Sequence, residues 1–124
     1  MTSSGGIDGL HLMANLHGCA AGAGLLDDAI ALRHASLGLV AASGLTPVGE
    51  CFHQFGEGGG VTGVVMLAES HLSLHTWPEK RFVTVDVFVC NMNCDNSAKA
   101  RQLFAALVAL FSPGEERVYE MARA

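Results

Sequence analysis

Phe82-Val83-Thr84-Val85-Asp86-Val87-Phe88-Val89 alternates without a break, with Phe82, Thr84, Asp86 and Phe88 on one side of an extended chain and Val83, Val85, Val87 and Val89 on the other. A period of two with β-branched residues at every second place specifies a strand with one buried face. Immediately upstream, Leu72 to Thr76 reads as a second strand, ended by Trp77-Pro78. In it Leu72 and Leu74 point inward while His71, Ser73 and His75 share the other side. Val61 to Ala68 is a strongly apolar third strand, entered from a flexible turn at Glu57-Gly58-Gly59-Gly60. That turn is short and has no lysine, so it is no phosphate loop.

Working outward, Thr46 to Phe55 reads as a strand with Pro47 marking an edge or a late start. Leu10 to Leu16, ending at Gly18, reads as the first strand of the chain, followed by a small-residue loop from Ala20 to Gly24. Leu25 to Ala42 has helical spacing at Leu26, Ile30, Leu32, Leu37, Leu39 and Val40, with Asp27 and Asp28 in its first turn and Ser43-Gly44 closing it. A second helix runs from Asn96 or Ser97 to Phe111, with Asp95 as N-cap and Leu103, Phe104, Leu107, Val108 and Phe111 as its core stripe. Pro113-Gly114 turns the chain into a last strand over Arg117 to Met121. The order β α β β β β α β predicts an α+β fold, a two-layer α/β sandwich with a mainly antiparallel sheet and two helices on one face.

The bulk properties narrow the function. A chain of 124 residues fits one domain, 1–124, and is short enough that burying a sheet surface by dimerisation is plausible. No apolar run reaches the ~20 residues of a membrane span. The start, Met1 to Gly6, has neither the basic nor the apolar region of a secretion signal, so a cytoplasmic location is expected. The net charge is −5, and residues 1–69 carry all of it, with Arg33 alone against Asp8, Asp27, Asp28, Glu50, Glu57 and Glu69. Without a basic stripe, nucleic acid is a poor partner, and an acidic field weakly favours a cationic small molecule. Cys19, Cys51, Cys90 and Cys94 are expected as free thiols in an unsecreted chain. Cys90 and Cys94 with His71 and His75 raise a zinc alternative, but Cys-x3-Cys without a second pair signals it only weakly.

The polar residues of the central strands point to a site. Ala68-Glu69-Ser70-His71-Leu72-Ser73-Leu74-His75-Thr76-Trp77-Pro78-Glu79 sets two imidazoles and several hydroxyls between apolar strands. Half-exposure explains the alternation but not the choice of side chains.

Gly63 to Glu79 closely resembles the self-processing region of prokaryotic S-adenosylmethionine decarboxylase proenzymes. The similarity extends to Val85-Asp86-Val87-Phe88-Val89-Cys90, Phe52-His53-Gln54-Phe55, Leu10-His11-Leu12 and Leu16-His17-Gly18-Cys19. The resemblance implies a lyase that uses a covalent pyruvoyl group derived from Ser70. The serine would attack the carbonyl of Glu69, turning the peptide into an ester. β-Elimination would then release a β chain of residues 1–69, and hydrolysis of the dehydroalanine left behind would give ammonia and a pyruvoyl group opening an α chain of residues 70–124. By the same resemblance His75 is the processing proton carrier, Thr62 stands where a processing serine does, and Cys90 is the proton donor in decarboxylation. The pyruvoyl ketone would form a Schiff base with the substrate amine and accept electrons as carbon dioxide leaves.

The resemblance also assigns Phe55 to stacking on adenine beside the sulfonium and Glu79 to the ribose hydroxyls. It implies a homodimer of αβ units and a product destined for spermidine and other polyamines. The chain departs from the family pattern at three places. Lys80-Arg81-Phe82 replaces a Tyr-Gly-Tyr-like stretch, Asn91 replaces a glycine after Cys90, and Phe55 to Thr62 is one residue longer than usual. Arginine or ornithine therefore stands as an alternative substrate, and a catalytically dead regulatory subunit as an alternative role. The latter is disfavoured because Ser70, His75 and Cys90 are all present.

Overall fold

The computed structural model describes residues 8–21, 24–91 and 94–123. Among them, the elements are β1 (Gly9–His17), α1 (Ala29–Ser43), β2 (Pro47–Gln54), β3 (Val61–Leu67), β4 (Ser70–Trp77), β5 (Phe82–Cys90), α2 (Ser97–Leu110) and β6 (Glu115–Arg123). The six strands form one antiparallel sheet in the order β2-β3-β4-β5-β1-β6. Successive hairpins build β2 to β5, and β1 then inserts between β5 and the last strand.

The alternation of β5 sets its register. Val83, Val85, Val87 and Val89 are fully buried, beside Leu72 and Leu74 of β4 and Leu10, Leu12 and Leu16 of β1. A one-residue slip would exchange those four valines for Phe82, Thr84, Asp86 and Phe88. At about 1.5 kcal/mol per valine, the loss would rival the whole net stability of a small domain, about 5–15 kcal/mol. Helix α2 lays Ala100, Leu103, Phe104, Leu107 and Val108 on this apolar face, and α1 adds Leu32 and Val40. The predicted two-layer α+β sandwich is thus what the chain forms. Among the described residues nothing covers the opposite sheet face, which presents His11, Met13, His71, His75, Trp77 and Phe88.

Several boundaries differ from the sequence expectation. Helix α1 starts at Ala29, not Leu25, because Asp28 is its N-cap and accepts from the backbone N–H groups of Ile30 (2.9 Å) and Ala31 (3.2 Å). A cap of that kind satisfies orphan donors that apolar periodicity cannot. Ile30 consequently faces solvent, and Ser36 takes a core position between Leu32 and Val40. Gly44 closes the helix with φ 84°, as expected. Asp95 is not the N-cap of α2; Asn96 is, and Asp95 instead accepts from Ser97 N–H at 2.9 Å. Strands β4 and β6 outrun the expected segments Leu72–Thr76 and Arg117–Met121, since pairing along the full length of β5 and β1 extends them.

Candidate active site

The hairpin between β3 and β4 is as tight as the ladder allows. Leu67 pairs with Ser70, so Ala68 and Glu69 alone make the turn, and Ser70 adopts φ 156°, at the margin of a region that side chains other than glycine avoid. The Glu69 carbonyl accepts a 2.8 Å hydrogen bond from Cys90 N–H. The Glu69 carboxylate is tied to Thr46, which donates its backbone N–H (3.0 Å) and its hydroxyl (3.1 Å), while Thr46 O accepts from Ala68 N–H (2.8 Å). Burial raises the pKa of this carboxyl, but the Thr46 hydrogen bonds and the charge of Lys99 outweigh it, leaving it below its ordinary value.

This arrangement suits acyl transfer at the Glu69–Ser70 bond. A backbone donor already lies on the carbonyl oxygen, where negative charge would develop if the serine hydroxyl attacked. The Ser70 hydroxyl lies 3.4 Å from His71 Nδ1. A cavity of about 220 Å³ beside the bond is lined by Ala68, Glu69, Cys90, Cys94 and Asn96. Asn91 accepts from Asn96 N–H (2.7 Å) and donates to Ser97 Oγ (3.0 Å), and Asn96 donates to Cys90 O (2.9 Å). Asn91 and Asn96 together therefore brace the strand end that carries Cys90.

A second group sits at the other end of the same strands. Thr62 pairs with His75 across β3 and β4, and its hydroxyl lies 3.2 Å from His75 Nδ1. Both line a pocket of about 550 Å³ together with Phe55, Gly59, Gly60, Thr76, Trp77 and Glu79. Phe55 is 58% exposed and meets His53 edge-on, and Glu79 lies in a 3-10 turn at Pro78–Lys80. An aromatic row continues from His75 through Trp77 and Phe82 to His17. Arg81, within the Lys80-Arg81-Phe82 segment, has φ 51°, a left-handed conformation that glycine adopts most freely.

The residues singled out from the sequence thus fall into two groups. Glu69, Ser70 and Cys90 form one, and Phe55, Thr62, His75 and Glu79 form the other. Five residue steps of extended strand separate Ser70 from His75, about 16 Å at ~3.3 Å each. Sequence reasoning missed Thr46, the Cys90 N–H, and Gln54 and Thr76 beside the pocket. A backbone donor has no residue signature, and the others act across long sequence separations. Among the described residues no three His, Cys, Asp or Glu side chains converge as metal ligands, and His75 is separated from Cys90 and Cys94. Cys19 is a buried thiol, its pKa raised by burial against the pull of Arg81.

A six-stranded antiparallel sheet with helices on one face, and a serine opening a central strand behind a polarised carbonyl, define a class of α+β sandwich proteins. A profile of S-adenosylmethionine decarboxylase matches residues 10–124. The chain is 40% identical over 105 residues to the S-adenosylmethionine decarboxylase proenzyme of a Hydrogenobaculum species, covering 85% of this chain and 73% of that one. It is 35% identical over 121 residues to the Archaeoglobus fulgidus proenzyme, with 94% and 98% covered. The crystal structure of the Aquifex aeolicus adenosylmethionine decarboxylase superposes with a TM-score of 0.83 at 33% identity, over 94% of this chain and 91% of that one. The chain belongs to the S-adenosylmethionine decarboxylase family, whose members are self-cleaving, pyruvoyl-dependent proenzymes of polyamine synthesis.

Proposed function

We propose that this chain cleaves itself between Glu69 and Ser70 into β (1–69) and α (70–124) chains and then decarboxylates S-adenosylmethionine in the cytoplasm, as a homodimer of αβ units. The observation that carries the reading is the Glu69–Ser70 junction, with its backbone near a disfavoured φ and its carbonyl already hydrogen-bonded by Cys90 N–H.

In the cleavage, Ser70 Oγ adds to the Glu69 carbonyl carbon, the C–N bond breaks and an ester forms, with Cys90 N–H holding the oxyanion. Loss of the Ser70 Cα proton to a base then breaks the Cβ–O bond and leaves Glu69 as a new carboxyl terminus. His75 suits the proton transfer, oriented by the Thr62 hydroxyl. A pyruvoyl group built from Ser70 fits this position because the residue opens a strand directly after Glu69, which lines a cavity together with Cys90. The group supplies a ketone as electron sink when carbon dioxide departs. The chain's own residues bind and protonate: Phe55 stacks on the adenine and meets the sulfonium, Glu79 takes the ribose hydroxyls, and the Cys90 thiol returns a proton to the substrate carbon.

The ~16 Å of strand between Ser70 and His75 is the reason for invoking two copies. Thr62 and His75 lie on the uncovered sheet face, and Cys90 falls on that face by the alternation of β5. Two copies packed through this face in opposite directions set the Ser70 group of one against the His75 group of the other. The four cysteines are unpaired, in keeping with a reducing compartment.

Two assays test this. Carboxyl-labelled S-adenosylmethionine, arginine and ornithine are offered in turn; label released from arginine or ornithine alone would overturn the substrate. Ser70→Ala and His75→Ala chains are then coexpressed. Each is inert alone, but a mixed dimer holds one complete site, so the His75→Ala chain is cleaved. Absence of cleavage in the mixture, with the two chains shown to associate, would refute a site shared between copies.

A further inference from the structure

The substrate pocket has a wall with little to hold it. Phe55 to Gly60 is a loop in which Gly56 and Gly58 take φ 75° and 72°. Its internal bonds are Phe55 N–H to Gly60 O at 2.8 Å and Gly59 N–H to Gly56 O at 3.4 Å. These close the loop on itself without fixing it to the protein body. Glycine-rich loops have much conformational freedom, and ordering them on ligand binding weakens affinity.

One side chain supplies the missing tether. Gln54, at the end of β2, donates from Nε2 to Gly59 O at 2.7 Å and to Asp27 O at 3.0 Å. Its Oε1 accepts from Ala29 N–H, the first residue of α1, at 2.7 Å. The orientation of the amide is forced, because the two carbonyls need the nitrogen and the N–H needs the oxygen. The same loop is pressed from the other side. A Cβ on Gly60 would lie 2.2 Å from Thr76 O, so only glycine lets the chain pass there.

We propose that Gln54 is a positioning residue for substrate binding, fixing the Gly59–Gly60 wall to the capped start of α1 so that the pocket is formed before the substrate arrives. This rests on the assignment of the Phe55–Glu79 pocket to S-adenosylmethionine. Gln54 touches no reacting atom, and it stands in the half of the molecule away from the Glu69–Ser70 bond.

The test compares wild type with Gln54→Glu, which keeps the acceptor for Ala29 N–H but sets a carboxylate oxygen against two carbonyls, and Gln54→Met, which has no partner for any of the three. Both variants should self-cleave to the wild-type extent. Both should raise the KM for S-adenosylmethionine about 3- to 10-fold, the loss of one or two partly buried hydrogen bonds, with kcat within twofold. A merely structural role would lower the melting temperature or the active fraction and leave KM unmoved. An independent readout is acrylamide quenching of Trp77, the single tryptophan of the chain and a lining residue of the pocket. Quenching should rise in both variants. If wild type released no carbon dioxide from S-adenosylmethionine, the substrate assignment would fail, and the quenching comparison would still decide whether Gln54 holds the wall. Unchanged KM, or unchanged quenching, in both variants would overturn the proposal.

Discussion

Replacing Thr76 by valine keeps the shape of a buried side chain and deletes a hydroxyl that serves two segments at once. Thr76 Oγ1 accepts from Val61 N–H at 2.8 Å and donates to Leu26 O at 2.6 Å, joining the start of β3 to the segment before α1. Thr76, Val61 and Leu26 are all buried, so water replaces neither bond freely. A buried donor or acceptor stripped of its partner costs about 1–3 kcal/mol. The Leu26 carbonyl retains a second lone pair and suffers less than the Val61 N–H. The sum is about 2–4 kcal/mol, and at about 4 °C per kcal/mol for a chain of this size the melting point should fall by roughly 8–16 °C. The measurement is circular dichroism on the uncleaved Ser70→Ala background, so that one covalent chain unfolds, at fixed protein concentration because association shifts melting. Thr76→Ser is the control. It keeps the oxygen and loses one methyl group, about 1 kcal/mol. If Thr76→Val melts at or above Thr76→Ser, the hydroxyl is not the stitch described.

Two further perturbations separate the stages of the chemistry. Thr46→Val removes one of the two hydrogen bonds that Thr46 gives the Glu69 carboxylate, and should slow self-cleavage about two- to fivefold, no more because that residue is only partly buried; Thr46→Ser should restore the rate. Because the folded pKa of Glu69 is depressed, this contribution is complete above the ordinary carboxylate range and fades as pH falls through the folded value. The variant and wild type should therefore converge in acid on a gel time course, and a gap that persists there would contradict the role. Cys90→Ala keeps the backbone N–H on the Glu69 carbonyl, so it should cleave normally yet lose about 10²- to 10⁴-fold in carbon dioxide release. Failure to cleave would place the thiol in the first stage.

Much of the fold was legible because β5 alternates over its whole length, and only one register buries four valines. The strand β6 shows no such pattern, since all nine of its residues are exposed, and its true extent, Glu115–Arg123, follows from pairing with β1. The start of α1 was misplaced because apolar spacing at Leu25 and Leu26 looks helical, whereas Asp28 fixes the cap. At the site, the roles of Ser70, His75 and Cys90 rested on the family resemblance, and only the polar strand from Ser70 to His75 was readable from its unusual company. Gln54 and Thr76 were not, for each acts by joining segments 25 or 50 positions away, and nothing local marks a side chain for that work.

The order of the strands bears on how the protein works. Thr62, Ser70 and His75 lie within 14 residues of one another in the sequence. Antiparallel strands keep Thr62 with His75 and carry Ser70 to the opposite end. Among the described residues no second layer brings those ends together, and the free sheet face exposes Met66 (53%), Tyr119 (51%) and Met121 (53%) beside the polar groups. Apolar side chains gathered on one face of a short chain favour association. Covering that face with a second, oppositely directed copy would bury them and set each Ser70 group against a His75 group. Under this arrangement dimerisation is the step that completes the site. An isolated chain would then hold the Glu69–Ser70 bond poised but uncleaved, which keeps the irreversible step from preceding assembly.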